Sequence, residues 1–184
     1  MTTTSNPTRV VTGEVRLSYA NVWEPNSIQG GKPKYSVSLI IPKSDTATIN
    51  AIEKAVDAAI TAGVAKFGGK RPNKAALKLP LRDGDVERDD EAYANSFFVN
   101  ANSLTAPQIV DMNVAPILDR AEVYSGCYAR VSLSFYAFNT NGNRGIACAL
   151  GNIQKIRDGE SLGGGRVSAE TDFGSPATSE DFLN

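Results

Sequence analysis

Histidine is absent from the sequence. That removes the side chain most often used as a general base and as a metal ligand near neutral pH. Cysteine is scarce: Cys127 and Cys148 are the only two, and without a histidine or a CxxC spacing they do not make a zinc site. Each lies among apolar neighbours on a separate expected strand, and Met1 to Thr8 is small and polar, unlike a signal peptide. Buried free thiols and a cytoplasmic location are therefore expected. No run approaches the ~20 apolar residues of a membrane span, so no membrane partner is expected. Phosphate-cradling loops are missing too. Gly68-Gly69-Lys70 lacks the upstream glycine and the following Ser or Thr of a Walker A loop. Gly163-Gly164-Gly165 has no strand before it and no helix after it, so it is not a dinucleotide loop. No cofactor is expected.

What is present is an uneven charge distribution behind a net charge of −1. From Lys32 to Arg82 ten basic residues stand against three acidic ones. From Asp83 to Glu91 six acids accompany only Arg88, and beyond Gly165 four acids, Glu170, Asp172, Glu180 and Asp181, accompany only Arg166. A near-zero total thus conceals a basic surface and acidic segments able to compete for it. The end of the chain reads Thr178-Ser179-Glu180-Asp181-Phe182-Leu183-Asn184 after a Gly/Ser-rich stretch. Such a composition cannot offset its ordering entropy, so residues 163–184 are expected to be a disordered acidic tail. Phe173 and Phe182 beside Glu180 and Asp181 would suit a basic pocket with an apolar floor on a partner protein. The plain alternative is a frayed terminus.

The length, 184 residues, suits one domain with flanking segments: a flexible 1–8, a domain over 9–162 and the tail. Val10 to Tyr19 alternates, with Val11, Gly13, Val15, Leu17 and Tyr19 on one face, and reads as a half-buried strand. Asn21 to Lys34, with two prolines and Gly30-Gly31, reads as loop. Tyr35 to Ile41 alternates again, and Pro42 ends it. Ile49, Ile52, Val56, Ile60, Val64 and Phe67 repeat at helical spacing after Thr46, a suitable N-cap, and Gly68-Gly69 stops the helix. Lys70 to Glu91 reads as a charged loop, Asn95 to Ala101 as a strand, Ala106 to Pro116 as irregular and Ala121 to Tyr124 as a short strand. Cys127 to Asn139 is the clearest strand, and Asn141-Gly142 turns it back into Gly145 to Ile156. The sum is a mainly β protein with one inserted helix, either an OB-fold-like Greek-key barrel or an α+β sandwich.

Two features carry candidate chemistry. Asp83, Asp85, Glu87, Asp89, Asp90 and Glu91 are the only metal-site candidate, since two-metal nucleases group carboxylates. They form one contiguous run, however, and fail EF-hand spacing. The outward face of the clearest strand carries Tyr128, Arg130, Tyr136 and Phe138. Aromatic rings stack on unpaired bases at about 1–3 kcal/mol each, and Arg adds charge pairing. Lys70, Arg71 and Lys74 in the basic stretch could track phosphates, and Trp23 is a second stacking candidate. The alternative is that these rings pack under the helix or the charged loop, with Trp23 closing one end of a barrel.

Val15 to Pro25 (VRLSYANVWEP), Tyr35 to Lys43 (YSVSLIIPK), Ser125 to Asn139 (SGCYARVSLSFYAFN) and Gly145 to Gly159 (GIACALGNIQKIRDG) carry a resemblance. They resemble a family of tailed bacteriophages and prophages, long catalogued as a domain of unknown function. It is now regarded as one of OB-fold single-stranded-DNA-binding proteins. The resemblance spans roughly Thr8 to Gly164, and the tail is similar to those of replication single-strand binders. It implies coverage of unpaired phage DNA in replication and recombination, without sequence preference and without catalytic residues. It also implies phage or host replication and recombination proteins as partners of the tail, and leaves homo-oligomers open. The competing readings are a metal-dependent nuclease built on Asp83 to Glu91 and a structural virion protein.

Overall fold

The computed structural model describes residues 6–27 and 31–162. In chain order the elements are β1 (Arg9–Val11), β2 (Val15–Asn26), β3 (Lys34–Pro42), α1 (Thr46–Ala62), β4 (Leu81–Asp83) and α2 (Gly84–Glu87). They are followed by β5 (Ser96–Ser103), β6 (Ile109–Val110), β7 (Tyr128–Thr140) and β8 (Asn143–Arg157). The neighbour order β7-β2-β3-β5-β8 returns to β7 and so closes a barrel. All contacts in this circuit are antiparallel except β5 with β8, which is parallel and has one registered pair, Asn102 with Ala149. A five-stranded Greek-key circuit of this kind is OB-fold-like. The chain is mainly β with one main helix, as the alternation implies. No helix among the described residues is long and apolar enough to cross a membrane.

The apolar alternation fills the barrel. Leu17, Leu39, Ile41, Val99, Val131, Leu133 and Ile153 are fully buried inside it. Ile52, Val56 and Ile60 of α1 join the same core, so the helix stripe is a packing face. Removing water from each such side chain stabilises the fold by about 1.5–3 kcal/mol. Cys127 and Cys148 are both buried and free, and burial raises both thiol pKa values. A second, small cluster lies on the outer face of β3 and β5: Ile40, Phe98 and Tyr93, the last fully buried. Tyr93 meets Phe98 edge-on, 5.3 Å between centroids, and its hydroxyl contacts the Ser38 hydroxyl at 3.0 Å.

Several expectations need correction. The single strand Val10 to Tyr19 is two. The chain turns at Thr12 to Glu14, where the Gly13 N–H donates to the Thr48 hydroxyl at 2.9 Å and the Val131 N–H donates to the Thr12 hydroxyl at 3.0 Å. The break reverses the parity, so Val10 is buried while Val11 is 50% exposed. Tyr19 also leaves the inward set. It has a φ of 47° at a bulge in the β2–β3 register and is 54% exposed. Asn21 to Lys34 is not all loop, because β2 continues to Asn26, with register shifts on either side of Asn21. Asp45, not Thr46, caps α1, accepting from the Thr48 N–H at 3.2 Å. The helix ends at Gly63, where an added Cβ would strike Ala137, and a 3-10 turn (Val64–Phe67) follows to Gly68. The charged loop contains β4, α2 and a 3-10 turn (Lys74–Ala76). The strand expected at Ala121 to Tyr124 is instead a 3-10 turn (Arg120–Glu122) that Asp119 caps. Asn141 and Gly142 both have positive φ, 53° and 81°, as a two-residue type I′ turn requires. Thr8, expected in the flexible N-terminus, accepts from the Phe135 N–H at 2.9 Å.

Candidate nucleic-acid interface

The outward residues of β3 and β5 set the site. Pleating puts Ser36 and Ser38 opposite Val37 and Leu39, and Asn100 and Asn102 opposite Val99 and Ala101. The registered pairs Ser38–Asn100 and Ser36–Asn102 place these four polar groups side by side. They floor adjoining clefts that share Asn102. One is walled by Tyr19, Asn21 and Arg88. The next continues past Asn26 to Lys32 and Lys34. The third crosses to β8 and β7, where Lys78, Arg82, Phe138 and Ala147 line it. The result is a groove with an uncharged hydrogen-bonding floor, a ring near each end and cations on the rim. In OB-folds the face of the second and third barrel strands is the one that takes oligonucleotides. Here β3 and β5 hold those positions.

Phe138 is seated by a close backbone crossing. Lys78 bridges to Gly145, with the Lys78 N–H donating to the Arg144 carbonyl at 3.0 Å. A Cβ at Gly145 would collide with the Lys78 carbonyl and approach the Phe138 ring to 3.0 Å. Glycine is required there for the basic segment to lie against the β7–β8 hairpin.

The acidic run lies at the groove's flank, and several of its carboxylates have structural partners. Asp83 caps α2 and Asp90 caps the 3-10 turn (Glu91–Tyr93). Lys43 bridges Asp83 at 2.9 Å and Asp85 at 2.8 Å. Asp85 also accepts from the Asn95 N–H at 2.9 Å. Among the described residues no three metal-ligating side chains converge. The Lys43 bond, followed by the Asn95 N–H, lowers the Asp85 pKa, while the Asp85 bond, then the Asp83 bond, raises that of Lys43. A depressed acid contributes stability above its unfolded value and loses it as pH falls through the folded one; a raised base does so in mirror image. Asp85→Asn is therefore expected to lower the unfolding temperature between about pH 4 and about pH 10 and to converge on wild type in acid. Asp89, exposed and with no hydrogen bond or ion pair to its side chain among the described residues, serves as the control: Asp89→Asn should leave that temperature unchanged. Thermal unfolding followed at several pH values checks both.

Comparison with known proteins decides the family. The sequence pattern described as Enterobacter phage Enc34, ssDNA-binding protein, matches residues 8–183. The chain belongs to the Enc34 single-stranded-DNA-binding protein family. Protein p50 of Acyrthosiphon pisum secondary endosymbiont phage 1 is 30% identical over 182 residues, covering 94% of this chain and 96% of that protein. Among solved structures, the single-stranded-DNA-binding protein of bacteriophage Enc34 in complex with ssDNA superposes with a TM-score of 0.74 at 23% identity. That match covers 85% of this chain and 90% of the other. Gp2.5, a single-stranded-DNA-binding protein encoded by bacteriophage T7, gives 0.61 at 14% identity, covering 87% and 97%. At these identities the structural matches speak to the fold. The Enc34 family is one of binding proteins, not enzymes.

Within this Enc34-family fold the residues singled out from sequence separate. Phe138 lines the groove. Tyr136, two residues back on the same face, is 47% exposed. Tyr128 lies at the other end of β7 between two guanidinium groups, Arg157 at 3.7 Å and Arg16 at 5.6 Å from its ring centre. Arg130 donates to the Thr12 carbonyl at 3.3 Å. Trp23 is half-buried against the core, its indole N–H bonded to the Val123 carbonyl at 3.0 Å. Arg71 and Lys74 both pair with Asp57 of α1, and Lys70 is exposed; none of the three lines the groove clefts. Phe173, Glu180, Asp181 and Phe182 lie outside the described residues. Sequence reasoning missed Tyr19, Ser36, Arg88, Asn100 and Asn102. The alternation of serine and asparagine on two paired strands was the available signal.

Proposed function

We propose that this chain binds single-stranded DNA without sequence preference, along the groove over β3 and β5. The continuous groove carries the reading. Tyr19 and Phe138 line the groove as rings suited to stacking on unpaired bases. Ser36, Asn100 and Asn102 both donate and accept, so they suit any base edge. Lys32, Lys34, Lys78 and Arg82 on the rim suit phosphates, which carry no sequence information. Titration of labelled oligo-dT and a mixed-sequence oligonucleotide at two salt concentrations tests it. Similar affinities that fall with salt support the reading. No binding at low salt sinks it, and Mg²⁺-dependent shortening of the strand would restore the nuclease alternative.

In the same proposal the protein works in phage DNA replication and recombination, in the bacterial cytoplasm, and its C-terminal segment competes with DNA. The last described residue, Leu162, packs against the Ile40–Tyr93–Phe98 cluster beneath the groove, and its N–H donates to the Ser125 carbonyl at 2.9 Å. The segment that follows thus starts at the groove's edge. Its carboxylates are tethered there at an effective concentration of roughly millimolar. Deleting residues 163–184 should tighten single-strand binding several-fold at low salt and less at high salt, because the lost competition is electrostatic. Phe182→Ala should spare DNA affinity and weaken capture of a phage or host replication or recombination protein. Equal affinities of full-length and shortened chains at low salt would reject the competition.

A further inference from the structure

Arg88 stands apart from the other groove cations. Its guanidinium carbon lies 5.0 Å from the Tyr93 ring centre, 5.1 Å from Phe98 and 5.5 Å from Tyr19. Two of these rings are fixed: Tyr93 and Phe98 are 0% and 1% exposed and meet edge-on, and the Tyr93 hydroxyl is bonded to Ser38. The backbone is fixed too, since the Arg88 N–H closes α2 on the Gly84 carbonyl at 3.2 Å. The side chain is half-buried, yet none of its hydrogen bonds or ion pairs is made to a described residue. This holds although Asp85, Asp89, Asp90 and Glu91 line the cleft on its other side. By contrast, Arg71, Arg120 and Arg157 are each bound to a carboxylate. A guanidinium has five N–H donors in a rigid fork. Here Tyr93 and Phe98 lie together beside it, Tyr19 adds a third ring contact, and the residue lines the groove.

We propose that Arg88 is the phosphate-binding residue of the groove, resting against the fixed Tyr93 and Phe98 rings so that its fork receives one phosphate of the bound strand. Lysines on the rim reach phosphates as mobile point charges, whereas a planar fork resting on fixed rings holds one phosphate in place. That sets the register of the strand, with the flanking bases falling towards Tyr19 on one side and the Asn100–Asn102 floor on the other. The carboxylates behind Arg88 repel the backbone, so the strand follows β3 and β5 and does not cross α2. This inference rests on the proposed binding of single-stranded DNA at the groove.

The test is fluorescence anisotropy of the full chain with labelled oligo-dT, and with an abasic oligonucleotide of the same length, over a salt series. Each phosphate neutralised on a single strand contributes about 0.7 to the log–log salt slope. Arg88→Gln keeps a planar, stackable group without charge. It should lower the slope by about 0.7 and weaken both oligonucleotides about tenfold, because a phosphate contact survives loss of the base. Arg88→Lys should keep the slope and still lose several-fold in affinity, since an ammonium lacks the planar, bidentate fork. A wild-type slope in Arg88→Gln overturns the proposal, as does wild-type affinity in Arg88→Lys. So does a loss confined to oligo-dT, which would mean base stacking only. If wild type itself does not bind, the functional reading fails; if wild type binds and the Arg88 variants match it, only the Arg88 assignment fails. Unfolding temperatures of both variants report folding, and Arg88→Lys carries the test if Arg88→Gln is unfolded.

Discussion

Oligo-dT affinity is expected to fall at least about thirtyfold when Tyr19 and Phe138 are both replaced by alanine. Each ring stacked on a base is worth about 1–3 kcal/mol, and 1.4 kcal/mol is tenfold. The two rings stand in different clefts of the groove, so their losses should nearly add. Tyr19 is 54% exposed and supports no core packing, and Phe138 is only partly buried, so the double variant should fold. Tyr128→Ala is the contrast. Its ring is engaged by Arg157 and Arg16, away from the groove, and its loss should lower the unfolding temperature with little effect on binding. Equilibrium titration at fixed salt, with circular dichroism as the folding control, checks all three. Unchanged binding by a folded Tyr19→Ala/Phe138→Ala variant would remove the groove as the stacking surface.

Neutralising the rim should produce the other large effect. Lys32, Lys34, Lys78 and Arg82 line the groove clefts. Replacing all four by alanine should reduce the log–log salt slope by about 2.1, at about 0.7 for each of the three lysines, and by up to about 2.8 if Arg82 exchanges its 3.8 Å contact with Glu87 for a phosphate. Binding in low salt should then drop by about a hundredfold or more, while the two proteins approach one another in high salt. Replacing Lys70, Arg71 and Lys74 instead should change the slope little, because two of these are already paired with Asp57. A slope that responds equally to both sets would place the phosphate path elsewhere.

Much of the barrel was legible because its strands obey simple periodicity. The inward series Cys127, Ala129, Val131, Leu133, Phe135 and Ala137 is buried throughout, and Asn141-Gly142 turns the chain at the expected place. The site was less legible, for three physical reasons. A single left-handed residue, Tyr19, reverses the parity of its strand, and no alternation rule anticipates that. Tyr128 and Phe138 share a strand face, but ten residues of strand separate them by roughly 30 Å, so only one reaches the groove. Charge counting sees Arg71 and Lys74 as free cations, whereas folding brings Asp57 to both. Conversely, the serines and asparagines of β3 and β5 are unremarkable in composition and become a floor only when Ser36 and Asn102 register side by side.

The barrel closes unevenly. β7 and β8 pair over most of their length, whereas β5 meets β8 at one registered pair, Asn102 with Ala149. That seam has the fewest backbone bonds to break, so it is where local opening costs least. The groove crosses it, with Asn102 on one side and Ala147 on the other. A bound strand therefore splints the joint, and by mass action it withdraws the opened forms from the population. Amide hydrogens along β5 and the first half of β8 would then exchange more slowly in the complex, although the ligand covers few of them directly. The protein would gain rigidity from the DNA it covers, at its least bonded edge.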